Sequence, residues 1–230
     1  MELRILTSNS TLTVLDVLIP AYEKASGNRV SVSGDSAKAM VARIRAGEPG
    51  DAIVLGTGAV KELAEAGIVI PASRRAFARA IVGVGVRSDF PHPDISSVDA
   101  FRASLLAAKS IAHTIHGASG MYIPTLLEKL GIAEQMKSKT VNRPGGYIGK
   151  VVVAGEADIA LQQIPELMAV PGLDVVGPVP DAVQKTFETS AGIFAASKNA
   201  AAAQAMLDFF AAPAHATLFS SKGLEQAAKA

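Results

Sequence analysis

The residues that could do chemistry gather in four short stretches. Thr7-Ser8-Asn9-Ser10-Thr11-Leu12 follows an apolar run, Leu3–Leu6, and precedes a helical pattern. Gly34–Lys38, Gly117–Gly120 and Pro144–Tyr147 repeat the design: strand end, small polar or glycine residues, helix start. The first N–H groups of a helix lack partners and its dipole favours negative charge, so each turn offers donors to an anion. The donors would be the hydroxyls of Ser8, Ser10, Ser36 and Ser119, the Asn9 amide, and the backbone at Gly120, Gly145 and Gly146. Ser10 or Thr11 by itself would serve as an N-cap. The polar run is longer than capping needs.

Other polar side chains surround these turns. Lys38 sits in the first turn of a helix, where a cation is unfavourable unless something negative faces it. Lys150 sits likewise and reads as solvated. Tyr147 follows two glycines, either packed or with its hydroxyl toward a ligand. Gln162 and Gln163 end an apolar strand, and one of the two amides should face the ligand. His113 and His116 stand three apart, on opposite faces of a strand, so they cannot share a metal there. His116 lies at the strand's carboxyl end, where ligands sit, and His113 reads as packed. His92 and His215 read as surface. Asp35, Asp51 and Asp158 are too scattered for a metal site or a carboxylate pair. Gly56-Thr57-Gly58 lacks the lysine of a phosphate loop and the third glycine of a dinucleotide fingerprint, and reads as an ordinary loop. No serine stands in a nucleophile elbow. Neither a cofactor nor a metal is expected.

The elements that must position these residues alternate. After the strand Leu3–Leu6, Leu12, Leu15, Leu18, Ile19 and Tyr22 form a helical stripe closed by Gly27. Strand Arg29–Ser33, helix Ala37–Ala46, strand Ala52–Leu55 and helix Lys61–Ala66 follow, a rhythm that implies a parallel sheet. Ile81–Val86 is a bare β run with no helix directly after it, and Pro91-His92-Pro93 is a rigid connector. A second lobe then carries helix Val98–Ala108, strand Ser110–Ile115, helix Met121–Leu130, helix Tyr147–Ala154, and strands Ile159–Gln162 and Leu173–Gly177. Phe187–Ala195 is extended and glycine-interrupted, a second crossing, before helices Ala200–Phe210 and Ala214–Ser221. The reading is α/β: two discontinuous lobes, 1–82 plus 194–230 and 83–193, joined by a two-strand hinge with the ligand cleft between them. In open α/β sheets ligands lie outside the carboxyl ends of the strands. A ligand between the lobes would meet helix N-termini from both, and closing the hinge would exclude water.

Composition narrows the partner. With 230 residues, 49% hydrophobic and 19% charged, the chain can bury a proper core, and its net charge of +1 points to neither nucleic acid nor an acidic membrane. Tryptophan is absent and aromatics are 5%, which disfavours stacking platforms for sugars or single strands. Without cysteine there are no disulfides, thiolate metal sites or thiol nucleophile. No apolar run approaches the roughly 20 residues that span a bilayer, and no membrane insertion is expected. The compartment stays open: periplasmic if a leader was removed ahead of Met1, otherwise cytoplasmic.

Taken in order, these residues resemble the type II periplasmic solute-binding proteins, nearest to their molybdate-binding branch. The resemblance covers almost the whole chain. It rests on Leu3–Leu12, on Ser36 ahead of Val41–Asp51, on Ala118-Ser119-Gly120-Met121-Tyr122, and on Gly155-Glu156-Ala157-Asp158-Ile159-Ala160. It implies two α/β lobes around a small anion, oxyanion or polycarboxylate, and, for the solute-binding part of an ABC-type uptake system, a membrane permease as partner. A monomer is expected. Carried over by position, Ser10 and Ser36 resemble the oxyanion-contacting serines. Ser119 resembles the contact from the second lobe, Gly145 or Gly146 the next, and Gln163 the last. Molybdate binders commonly have tyrosine where Gln163 stands. That replacement, with Lys38, Tyr147 and His116 nearby, fits a carboxylate better than a tetrahedral oxyanion. Aconitate isomerase is similar to these binding proteins. The alternative it implies is an isomerase shifting an allylic proton on an unsaturated polycarboxylate, with His116 and Lys38 taking and returning the proton. A ligand-sensing domain is a weaker third reading, since no effector segment accompanies it.

Overall fold

A computed structural model of the chain describes residues 1–227, so the last three residues of the expected first lobe, 228–230, lie outside it. The fold is α/β and divides into two compact units. Unit 1 is Met1–Arg79 together with the chain from Glu188 onward, and unit 2 is Ala80–Phe187.

In unit 1, β1 (Glu2–Ser8) leads without a loop into α1 (Asn9–Ser26), and β2 (Arg29–Asp35), α2 (Ala37–Arg45), β3 (Ala52–Gly56) and α3 (Thr57–Glu65) follow. β1 pairs in parallel with both β2 and β3. The expected helical stripe forms, with Leu15, Leu18, Ile19 and Tyr22 buried. Gly27 ends α1 at φ 72°, a left-handed cap that only glycine adopts without strain. The polar stretch after Leu6 is not a turn. Strand continues through Ser8 and helix begins at Asn9. Gly56-Thr57-Gly58 is likewise no loop, but the end of β3 and the start of α3.

β4 (Arg75–Arg87) carries the chain into unit 2. There α4 (Val98–Ala107), β5 (Ile111–Thr114), α5 (Ala118–Lys129), α6 (Ala133–Met136), β6 (Thr140–Arg143), α7 (Gly149–Val153), β7 (Ile159–Gln163), α8 (Ile164–Met168) and β8 (Leu173–Pro178) follow. β5 lies between β6 and β7, parallel to both, and β4 runs antiparallel to β7 and β8. The bare β run with two glycines now has a reason. A Cβ on Gly83 would come within 2.6 Å of Ile164, and one on Gly85 within 2.8 Å of Leu173, so the glycines let α8 and β8 lie close on β4. The core of this unit includes Val82, Val84, Phe101, Leu105, Ile123, Leu126 and Leu161.

β9 (Thr186–Ile193) returns the chain to unit 1 and pairs antiparallel with β3. α9 (Ala200–Phe210), α10 (Ala216–Ser221) and β10 (Glu225–Gln226) complete it. The chain therefore crosses between the units twice, each time inside a strand. Among the described residues no helix is long and apolar enough to cross a membrane.

Candidate functional site

In unit 1 the register places Ser8 opposite Asp35, so α1 and α2 begin side by side at the carboxyl ends of parallel strands. Ser8, Ser10 and Ser36 are buried there. Ser8 and Ser36 are the N-cap residues of α1 and α2, yet neither side chain caps its helix. The sequence can cap when capping is the purpose: Ser97, N-cap of α4, accepts a bond from the Ala100 N–H at 3.1 Å. Ser8 Oγ lies 3.3 Å from Ser10 Oγ, and the Ser36 hydroxyl has no hydrogen-bond partner among the described residues. Asn9, half-buried, opens α1. The threonines beside them are committed to the fold. Thr7 Oγ1 donates to the Val54 carbonyl at 2.9 Å and lies 2.6 Å from Thr11 Oγ1, which reaches the Ser8 carbonyl at 3.0 Å.

Two charges flank this cluster. Asp35 accepts the Ser36 N–H at 2.7 Å, and its other oxygen is paired with Arg43 at 3.2 Å, which offsets its negative charge. Lys38, in the first turn of α2, is exposed and has neither hydrogen bond nor ion pair among the described residues.

In unit 2 the parallel strands β5, β6 and β7 end together. The His116 N–H donates to the Pro144 carbonyl at 2.9 Å and the Ile115 N–H to the Arg143 carbonyl at 2.8 Å, tying two of the loops to each other. Gln162, on β7, holds the second of these as well: its Oε1 accepts the Ile148 N–H and its Nε2 donates to the Gly146 carbonyl, both at 2.8 Å. Gly146 sits at φ 83°, so the loop needs glycine at that place. Tyr147 is half-buried with the Lys150 ammonium 5.8 Å from its ring centre. The helix after this loop, α7, has five residues and starts only at Gly149. What Gly145 and Gly146 offer is therefore loop backbone, not a helix terminus.

Ser119 is fully buried at the start of α5, and its hydroxyl has no partner among the described residues. Thr114 Oγ1, at the end of β5, is in the same state. Gly120 has a packing role whatever else it does: a Cβ there would stand 1.9 Å from the Thr114 carbonyl, so α5 can sit on the end of β5 only with glycine. His116 lies half-buried in the loop after β5. His113 is buried inside β5 with its Nδ1 2.9 Å from the Thr114 carbonyl, and burial lowers its pKa, as suits a neutral packed imidazole. His92 pairs with Asp174, and His215 packs on Phe209.

At the end of β7 the two amides divide their labour. Gln162 clamps the loop. Gln163 donates from Nε2 to Glu166 Oε2 at 3.3 Å, and its own Oε1 is buried without a partner among the described residues. Glu166 is the residue that reading the sequence missed. It lies in α8, too short to show a period, and is 5% exposed. Burial pushes its carboxyl up to about 8, opposed only in part by hydrogen bonds from Gln163 and Gln162. The available signal was one acid in the apolar stretch Ile159–Val170, three residues after a glutamine, the spacing of a capping box.

Unit 1 thus brings Ser8, Asn9, Ser10, Ser36 and Lys38 to the carboxyl end of its parallel strands. Unit 2 does the same with His116, Ser119, Gly120, Gly145, Gly146, Tyr147 and Gln163. Asp51 and Asp158 stand at the opposite, amino ends of β3 and β7. Among the described residues no three His, Asp or Glu side chains gather as a metal site.

Two α/β units built on one chain that crosses between them twice, with idle donors at the strand ends of each, form the type II periplasmic-binding-protein fold. The periplasmic molybdate-binding protein of Azotobacter vinelandii shares it, with TM-score 0.83 and 18% identity over 96% of this chain and 98% of that one. So does the sulfate-binding protein SubI of Mycobacterium tuberculosis, with TM-score 0.78 and 18% identity over 97% and 86%. The chain belongs to the bacterial extracellular solute-binding protein family, which matches residues 3–225. It is also 33% identical to an aconitate isomerase from a Pseudomonas species, over 97% of this chain and 87% of that protein.

Proposed function

We propose that the protein captures a small polycarboxylate anion, with donors of both units acting on one ligand, as the solute-binding part of an ABC-type uptake system. The observation that carries this reading is the set of serine hydroxyls at strand ends that the fold leaves idle: Ser36 and, fully buried, Ser119. A buried hydroxyl without a partner costs free energy, on the order of 1–3 kcal/mol, which a bound acceptor would return. Lys38, unpaired beside Ser36, and the amide of Gln163 favour carboxylates, whose oxygens spread over several positions. The test is thermal unfolding with citrate, the aconitates, molybdate, tungstate and sulfate. Citrate or an aconitate should raise the midpoint with concentration. Ser10→Ala combined with Ser36→Ala should abolish the rise, and an unchanged rise would remove these serines from the site.

A second reading has its own support in the 33% identity to an aconitate isomerase. In it a base removes a proton from the methylene carbon of the bound polycarboxylate, the double bond shifts, and a proton returns at the far carbon of the allylic system. His116 and Lys38 are the candidates for the two roles. Incubation with cis-aconitate followed by proton NMR decides between the readings. Appearance of trans-aconitate beyond a protein-free control makes the chain an isomerase, and unchanged substrate at high protein leaves the binder.

A further inference from the structure

We infer that Glu166 is a positioning residue that orients the Gln163 amide, turning its NH2 group toward the anion when protonated and its carbonyl oxygen when ionised. This rests on the proposed polycarboxylate site, to which it adds a control by pH.

The geometry is specific. Glu166 and Gln163 contact each other in the interior of unit 2, both almost fully buried. Gln163 has two ends. One lies on the Glu166 carboxyl, and the other is buried at the carboxyl end of β7 without a partner among the described residues. A carboxylate accepts hydrogen bonds only, so ionised Glu166 takes the amide Nε2 and leaves Oε1 as the end without a partner. Oε1 is the wrong end for an anion. A protonated Glu166 has an O–H to donate, and Gln163 Oε1 is the acceptor beside it. A half-turn of the amide pairs Oε1 with that O–H and turns Nε2, with its two hydrogens, to the place Oε1 held. Both buried groups are then satisfied, and the free end is a donor.

The surroundings favour the protonated form. Burial raises the Glu166 carboxyl to about 8, so it is mostly neutral at pH 7. Among the described residues no cation opposes this. Glu166 is the only charged residue of α8, and β7 has none. On β8 the charged residue is Asp174, partnered by His92. On the part of β4 against α8 it is Arg87, partnered by Asp89.

The experiment follows side-chain amide and carboxyl NMR signals of Gln163 and Glu166 in the ligand-free protein from pH 6 to 9. Calorimetric titration with citrate and trans-aconitate covers the same range. The Gln163 amide should shift in step with the Glu166 carboxyl, with a midpoint near 8. The carboxylates should bind about tenfold more weakly at pH 9 than at pH 7, the loss expected when only the protonated fraction is competent. Glu166→Gln keeps a donor at that place at every pH, so it should show neither the Gln163 shift nor the alkaline loss. A Gln163 signal indifferent to the Glu166 titration overturns the inference, as does an alkaline loss that persists in Glu166→Gln. A Gln163 shift without binding of either carboxylate at any pH supports the coupling and removes the polycarboxylate reading instead.

Discussion

At the scale of the residue, the molecule separates polar groups that hold the fold from polar groups that the fold does not use. Ser119→Ala removes a hydroxyl with no partner among the described residues. Stability should stay within about 0.5 kcal/mol of the parent, while affinity for the anion falls about tenfold, one lost hydrogen bond to a charged group. Gln162→Leu should behave oppositely, because the Ile148 N–H and Gly146 carbonyl lose their partners. A loss of about 1–3 kcal/mol in denaturant unfolding is expected. Two buried groups also set how stability varies with pH. Glu166 holds its proton up to about 8, against an ordinary value of 4.5. Between those values the folded chain keeps a proton that the unfolded chain has released, so stability falls as pH rises through this window. His113 is held below its ordinary 6.5, so its contribution is lost as pH falls under that value. Unfolding midpoints should therefore decline as pH rises from about 6.5 toward 8 and level off above it, with a smaller decline in Glu166→Gln. Parallel profiles for the two proteins would contradict a buried neutral acid.

At the scale of the element, two motifs in the sequence turn out to build the fold. Asp51, in the stretch Val41–Asp51, accepts the Arg4 N–H at 2.9 Å and the Ser197 hydroxyl at 2.6 Å, fastening β1 and the segment before α9. Glu48 in the same stretch binds Arg43 through both oxygens and Arg4 through one. Asp51→Ala should cost on the order of 2 kcal/mol in denaturant unfolding. Gly120→Ala should cost more, about 3 kcal/mol, since the added carbon meets backbone rather than a flexible side chain. The sequence showed the long elements well, because they carry a clear period: α1, α2, α4, α9 and the β1–β3 rhythm stand within a few residues of their expected ends. It showed the serine turns as candidates too. The short elements α6 and α8 carry no period, and α8 went unseen with Glu166 inside it. Nor could it show that Gln162 clamps a loop while Gln163 leaves one end free. That division depends on Ile148 and Gly146, which pair with Gln162 only after folding.

At the scale of the whole molecule, the proposed function needs donors from two units that one chain enters, leaves and re-enters. In the proposed site neither unit alone holds the full set: Ser10, Ser36 and Lys38 belong to one, Ser119 and Gln163 to the other. Losing either set should therefore weaken the same ligand. The measurement that bears most directly on this is isothermal titration of the intact protein with citrate, cis-aconitate and trans-aconitate, repeated on Ser36→Ala and on Ser119→Ala. The account predicts one site per chain, weakened about tenfold or more by each substitution. Binding that either variant leaves untouched, or no heat from any of the three carboxylates, would contradict it.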